Sequence, residues 1–376
     1  MPLTSEIVRT HDGVATLESE WSSLLVRSGA DTVFLTWEWI QSWMTVFGAS
    51  VEPYVVTVRD STGRLCALAP FYRANLTLLG VIPYQCLCVL GDRWVGSEYS
   101  DVIADRNGEH ESLAQVGREL HERRADWTCV WLPKVAGWSG ADERFDTWAT
   151  GHGWCVQRRE RNFSAIDLPP DEDAFWASLS GNMRSNLRRQ RNQIARTVRT
   201  RFGVLREGAE ISAVLDRFEH LHALRWASVG LPGAFRKSPG LRRFYDELCR
   251  RMGQTGWLRM YVLESDDGLV AMQFGFVYNG VYHQLQEGFD PHAVPGIGNL
   301  LRMESIRECI ASGLQGYDFL GGATEHKHRW GAQVRHGHDY FIRRRALRTV
   351  PLRARELWPS GRYLRRDAVR RATSTT

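Results

Sequence analysis

Apolar residues at positions 14, 17, 21, 24 and 25 recur at helical spacing and predict a helix over 14–28 that stops near Gly29. Thr36 and Gly48 bracket a second helix over 36–47 as cap and stop. The period then drops to two. Segments 51–59 and 64–74, joined by Asp-Ser-Thr-Gly, read as a β-hairpin. Short strands at 77–81, 86–90 and 128–132 follow, with a helix over 109–124 before the last of them. A helix over 141–151 and a strand over 154–168 lead to the turn PPDED.

After that turn the mixture repeats. Helices are predicted over 171–179 and 183–196, a strand over 199–206, and helices over 211–227 and 239–253. Three strands then join through tight turns: 257–264, 269–277 and 281–289. A Gly/Pro loop, a helix over 299–312, a strand over 316–320 and a last strand over 339–345 complete the pattern. Antiparallel strands running into a strand–loop–helix–strand unit predict an α+β fold. A chain of 376 residues carries two such units, 1–160 and 161–346, with 347–376 as a basic tail.

Composition excludes several classes. With 43% hydrophobic and 24% charged residues the chain is globular rather than disordered or a disulfide scaffold. Seven scattered cysteines fit a reducing cytoplasm. Segment 74–91 is uncharged, but Asn75, Gly80, Pro83 and Gln85 break it, so it predicts strands and not a membrane span. No basic region followed by an apolar run opens the chain. The net charge of +5 conceals two basic segments: eight arginines and no acid over 182–206, and eleven arginines against Glu356 and Asp367 over 343–371. Any anionic partner meets these segments rather than the whole surface. Only Lys134, Lys237 and Lys327 are lysines, so the arginine excess reflects a chain-wide preference as well.

Chemistry concentrates in two places. DPHAVPGIGNLL, 290–301, leaves a strand and enters a helix through Pro-Gly-Ile-Gly, and the amides of Gly298, Asn299 and Leu300 then have no partner inside the helix. Such a turn binds phosphate through N–H groups and the helix dipole; a plain helix start explains it equally. GYDFLGGATEHKHRWG, 316–331, ends a strand and crowds Glu325, His326, Lys327, His328, Arg329 and Trp330 into six residues. His326, His328, His336 and His338 form a double H-x-H pattern that would chelate a metal on extended chain, but no cysteine or carboxylate completes a known spacing, and no metal is expected. His220 and His222 lie on a predicted helix, where i and i+2 diverge. Cys86 and Cys88 share one face of a strand and read as core. Trp127, Trp131, Trp138, Trp148 and Trp154 are close in sequence; indoles pack cores, and they also stack on sugar faces.

Four segments carry a resemblance: FLTWEWIQSWMTVFG, LSGNMRSNLRRQRNQI, GFDPHAVPGIGNLL and YDFLGGATEHKHRWG. With them the chain resembles the CelD/BcsL-type acetyltransferases of cellulose and exopolysaccharide synthesis, members of the GNAT superfamily related to Fem-type peptidoglycan aminoacyltransferases. The resemblance implies two tandem GNAT-like domains, the second more intact. It implies acetyl-CoA or another acyl-CoA as co-substrate, with its pyrophosphate on Gly296, Ile297, Gly298 and Asn299. It further implies transfer to an amine or hydroxyl of a sugar, polysaccharide precursor or other small acceptor. Asp318 and Glu287 are then the base candidates, with His283 on the same face as Glu287 and Lys327 orienting an acyl or sugar group. Where the family commonly has an acidic pair, this chain has Ala323 and Thr324, and Glu325 and His326 stand further along. Two other readings stay open: a Fem-like enzyme using charged tRNA, and a non-catalytic GNAT scaffold. Tail 347–376 suits an anionic membrane surface, an acidic protein or the chain's own acidic body.

Overall fold

The computed structural model describes residues 2–78, 82–292 and 294–345, together with 349 and 352. Helices begin where the sequence offers a side-chain cap. Thr36 accepts from the Trp39 N–H, Asp171 from Ala174, Ser180 from Met183 and Thr324 from Lys327, each cap contributing about 1 kcal/mol.

In the first half the elements are β1 Thr4–Val8, α1 His11–Ala15, α2 Glu18–Arg27, α3 Trp37–Phe47, β2 Glu52–Arg59, β3 Leu65–Leu78, β4 Ile82–Val89 and β5 Ile103–Ala104. They continue with α4 Glu109–Glu122, β6 Cys129–Ala136, α5 Ala141–His152 and β7 Cys155–Asp167. The second half has α6 Glu172–Ser178, α7 Gly181–Thr197, β8 Arg201–Leu205, α8 Gly208–Ala227, α9 Gly233–Lys237 and α10 Leu241–Met252. There follow β9 Leu258–Ser265, β10 Gly268–Tyr278, β11 Val281–Phe289, α11 Ile297–Ala311, β12 Gly316–Gly321, α12 Glu325–Arg329 and β13 Gln333–Arg343.

Most elements match the periodicity, and the departures are local. The helix expected over 14–28 is two, because Thr10 caps an earlier start and the chain turns at Thr16 and Leu17. The strand expected at 77–81 is the end of β3, which turns back to β4 with Leu78 opposite Ile82; residues 79–81 lie outside the described residues. The last strand starts at Gln333, six residues early, because it pairs with β7 along its whole length. Apart from 349 and 352, the tail 347–376 lies outside the described residues.

Strand order shows an internal repeat. In each half four antiparallel strands (β1–β4; β8–β11) end on a parallel pair, β4 with β6 and β11 with β12. Each half's last strand then crosses over: β13 pairs with β6, and β7 pairs with β12. The order β4-β6-β13-β7-β12-β11 makes one sheet of both halves. The position expected to divide the units, 160/161, falls inside β7. The repeat extends to a bulge. Pro133 and Lys134 in β6 oppose Asp339 alone, and Phe319 and Leu320 in β12 oppose Ser164 alone. In both, the second residue is left-handed, Lys134 at φ 54° and Leu320 at φ 59°, a costly conformation for a side chain of that size. A carboxylate holds each amide: Lys134 N–H donates to Asp339 (2.8 Å) and Leu320 N–H to Asp318 (2.7 Å).

One face of the sheet packs α3, α8 and α10 into a core shared by both halves, with Trp39 edge-on to Phe244 and Phe276. The opposite face of the second half packs α6, α7 and α11 over Tyr282 and Tyr317.

Candidate active site

The parallel ladder between β11 and β12 has three rungs and ends at His283 opposite Asp318. Beyond that rung the two strands part, leaving the β12-facing edge of residues 284–289 without a ladder. The opening coincides with a bulge: Gln284 and Gln286 oppose the adjacent Gly275 and Phe274, so Leu285 is extra. An extra residue reverses the alternation of faces. His283 and Gln286 therefore face the α8 side, where they meet Phe34 and His222. Gln284 and Glu287 face α11 and bond each other at 3.0 Å. This corrects the expectation that His283 and Glu287 share a face, which holds only for an unbulged strand.

Asp318 is 5% exposed. Its Oδ2 accepts from the Tyr99 hydroxyl at 2.6 Å, and His283 Nδ1 lies 3.3 Å from the same oxygen. Burial opposes its charge, but His283, Tyr99 and the Leu320 N–H outweigh burial and hold its pKa below the usual carboxylate value. Glu98 precedes Tyr99 in the loop after β4 and lies against Gly321, where a side chain would come within 3.1 Å of it. Its Oε1 pairs with Lys134 Nζ at 2.9 Å, while Oε2 has no hydrogen-bond partner among the described residues. Burial raises its pKa against the pull of Lys134. Lys327 Nζ sits among four carbonyl oxygens, Phe319 (3.0 Å), Leu320 (3.4 Å), Gly321 (2.7 Å) and Gly322 (2.9 Å). It thereby holds the end of β12. Burial lowers its pKa to about 8, with Glu98 and Asp318 acting the other way.

Glu287 is engaged differently. Its carboxylate bonds Arg302 of α11 and, at 2.8 Å, Arg225 of α8. Arg302 also donates to His326 Nε2 at 2.7 Å and lies over the Phe319 and Trp330 rings. Burial opposes the Glu287 charge, yet the two guanidiniums bring its pKa below normal, which makes it a weak proton acceptor. The groups enclosing His326, and then the Arg302 charge, lower its pKa to about 4, so it accepts as neutral imidazole.

At the start of α11, Gly296 is the cap at φ 86°. Ile297 N–H donates to Val294, and both Asn299 and Leu300 N–H donate to Gly296 O. Of the amides expected to be free, only that of Gly298 lacks a backbone acceptor among the described residues; a short first turn satisfies Asn299, and Leu300 already makes the regular helical bond. Gly298 is small for packing: a Cβ there would lie 2.6 Å from the Phe289 ring. Gln190 of α7 covers the cap, accepting from Asn299 Nδ2 at 2.9 Å. A 15-residue helix with no acid in its first turn presents a positive end, with the Gly298 amide left at that end.

On the other face, a cavity of about 250 Å³ ends at His283 and Asp318 and lies between the halves. Thus Asp318 and His283 come together, with Lys327 holding the end of the same strand, while Glu287 and the Gly296–Asn299 turn stand on the α11 side. Tyr99, Glu98, Arg302 and Arg225 were not foreseen. The one sequence signal for the first two is positional: their loop follows β4 as the glycine loop follows β11. His326 and His328 lie on α12 and not on extended chain; His336 faces Glu160 at 3.2 Å and His338 faces Asp142 at 3.0 Å. Among the described residues no group of three His, Cys, Asp or Glu side chains is placed to hold a metal, and no helix is long and apolar enough to cross a membrane.

Residues 181–328 match the family model of the acetyltransferase (GNAT) domain. A comparison with curated proteins finds no match. Among solved structures, FemX is similar at a TM-score of 0.62 and 10% identity, over 95% of this chain and 99% of that one. L-PGS from Bacillus licheniformis is similar at 0.52 and 11%, over 90% and 94%. A conserved protein of unknown function from Bacteroides thetaiotaomicron is similar at 0.51 and 12%, over 91% and 100%. At such identities the likeness is one of fold. The match of residues 181–328 to the GNAT acetyltransferase domain supports an acyltransferase, and the likeness to solved structures supports its α+β fold.

Proposed function

We propose that the chain transfers an acyl group, acetyl in the simplest case, from acyl-CoA to an amine or hydroxyl of a sugar or other small acceptor. One observation carries this reading: the sheet opens at the His283–Asp318 rung between a helix N-terminus on one face and a cavity on the other. Donor and acceptor would approach from opposite faces and meet at the opening. The turn Gly296 to Asn299 and Gln190 would hold the pyrophosphate. The co-substrate supplies a thioester carbonyl, and N–H groups on the unpaired edge of β11 would polarise it. His283 takes the proton of the attacking nitrogen or oxygen, and Asp318 orients the ring. The new C–N or C–O bond forms as C–S breaks, and the thiolate takes up a proton. In this reading Glu287 and Lys327 position strands rather than transfer protons.

The first half, through Tyr99 and Glu98, completes the site of the second, and we read the chain as two tandem GNAT-like units. The acceptor class of a polysaccharide precursor, and a membrane contact through the tail, rest on the sequence resemblance. A second reading, aminoacyl transfer from charged tRNA, draws on the fold likeness to FemX and on Arg188, Arg196 and Arg199, exposed and without ion pairs among the described residues. A calorimetric titration with acetyl-CoA separates the two. Binding that a Gln190→Glu change weakens supports acyl-CoA; no acetyl-CoA binding, with a salt-sensitive tRNA shift, overturns it in favour of tRNA.

A further inference from the structure

The cavity between the halves has a chemistry of its own. Trp138 forms one wall and is 50% exposed, an unusual state for so large an apolar side chain. Tyr99 and Phe163 meet it edge-on, which fixes the plane of the indole. Around it stand groups that bond hydroxyls and amines: Asp31, Asn279, Ser139 and Thr32. His283, 9% exposed, stands at the inner end, and its Nδ1 faces Asp318 without a well-formed hydrogen bond.

The charges are unequal. Among the described residues Asp31 is held by neutral donors, Tyr278 OH at 2.6 Å and Asn279 Nδ2 at 3.0 Å. Asp318 accepts from the Tyr99 hydroxyl and the Leu320 amide, with His283 Nδ1 3.3 Å away. Asp101 is neutralised by Arg144. Arg335 on the lining is paired with Asp167 at 2.7 Å and lies over one face of the Trp138 ring, 5.7 Å from its centroid, which leaves the other face for a ligand. The enclosed space therefore carries a negative field that a cation would relieve and a phosphate would oppose.

We propose that this cavity is the acceptor subsite and takes a single sugar unit bearing a protonated amine, its ring stacked on Trp138 and its ammonium in the field of Asp318 and Asp31. A flat, rigid indole ringed by polar groups matches the apolar face and hydroxyl edge of a pyranose. A cavity of about 250 Å³ lies below the usual range for drug-sized ligands and suits one ring. The proposal rests on the acyl-transfer reading for its chemistry. The ammonium gives one proton to His283, and the free amine attacks the thioester carbon. The C–N bond forms, C–S breaks, and the nitrogen loses a second proton. The products are a neutral amide, a thiol and one proton released to solvent.

Saturation-transfer NMR on the full-length protein tests the binding step, with glucosamine, glucose and glucosamine 6-phosphate as millimolar probes and no CoA present. Glucosamine is expected to bind at least about tenfold more tightly than either analogue. Trp138→Ala, at a half-exposed position, and Asp31→Asn are each expected to weaken glucosamine about tenfold. Acetyl-CoA affinity of both variants stays unchanged. Equal or tighter binding of glucose or the 6-phosphate, indifference to both substitutions, or no sugar binding overturns the proposal. A parallel acetyl-CoA titration keeps the two readings apart. Lost sugar binding with intact acetyl-CoA binding removes the subsite alone; glucosamine binding without acetyl-CoA binding upholds the subsite and removes the donor.

Discussion

A carboxylate is a weak base when hydrogen bonds or cations around it stabilise its charged form. Glu287, between Arg225 and Arg302, and Asp318, held by a hydroxyl, an amide and His283, are both acidic for that reason. The imidazole of His283 is the group left to move a proton. His283→Gln should lower turnover 10²–10⁴-fold, the usual span for a lost general base, and leave acetyl-CoA affinity as it was. Steady-state rates beside calorimetric affinities check this; a wild-type rate would put the base elsewhere, with Glu98 next in line. Asp318 was visible in the sequence as a carboxylate near the end of a strand, and His283 only beside Glu287, through the family resemblance. Tyr99 was not, since 219 residues separate it from Asp318 and only the fold joins them. Nor was the changed face of Glu287, because no residue type marks the bulge at Leu285. A second titration concerns His222, fully buried beside Gln286, whose pKa burial lowers to about 4. Between pH 6.5 and 4 the unfolded chain binds this proton and the folded chain does not. Stability should therefore fall as pH drops through that window, by up to about 1.4 kcal/mol per unit. Urea midpoints of wild type and His222→Gln across that range should diverge at high pH and converge at low pH; parallel curves would refute the assignment.

Elements place these residues through a few backbone features. The glycine turn before α11 was legible as a helix start with close approach, but the sequence alone does not say what approaches. The two glycines have different duties. Gly296 needs its positive φ, whereas Gly298 gives room to the Phe289 ring. Replacing both is therefore no clean probe of phosphate binding, because the packing makes the change costly to the fold. Gly298→Ala should cost about 1–3 kcal/mol by overpacking, and Gly296→Ala about 1–2 kcal/mol by backbone strain. Denaturant midpoints measure both; wild-type stability in Gly298→Ala would mean that Phe289 yields without cost. The matching bulges in β6 and β12 are a different case. Their left-handed Lys134 and Leu320 carry no sequence signal, because each carboxylate that holds the amide is recognisable only once the strands pair.

At the scale of the molecule, the sequence supplied two units of similar order and a turn at PPDED between them. It did not supply the exchange of β7 and β13. Register between strands far apart in sequence depends on which edges are left open, and each half leaves one: β6 and β12 lack their outer neighbour until the other half provides it. An isolated half would expose that edge together with its share of the common core around Trp39, Phe244 and Phe276. The two halves should therefore fold as one cooperative unit. We predict that residues 1–168 and 171–345, expressed separately, each give aggregated or largely unfolded protein by circular dichroism and sedimentation. Expressed together they should pair through β7, β12, β6 and β13, copurify, and recover acetyl-CoA binding, since the second half then regains the sheet that positions the α11 turn. A single melting transition is expected for the intact chain, because unfolding either half uncovers an edge of the other. A first half that is monomeric and folded alone, or two resolved transitions in calorimetry, would show that the exchanged strands dock onto units already complete without them.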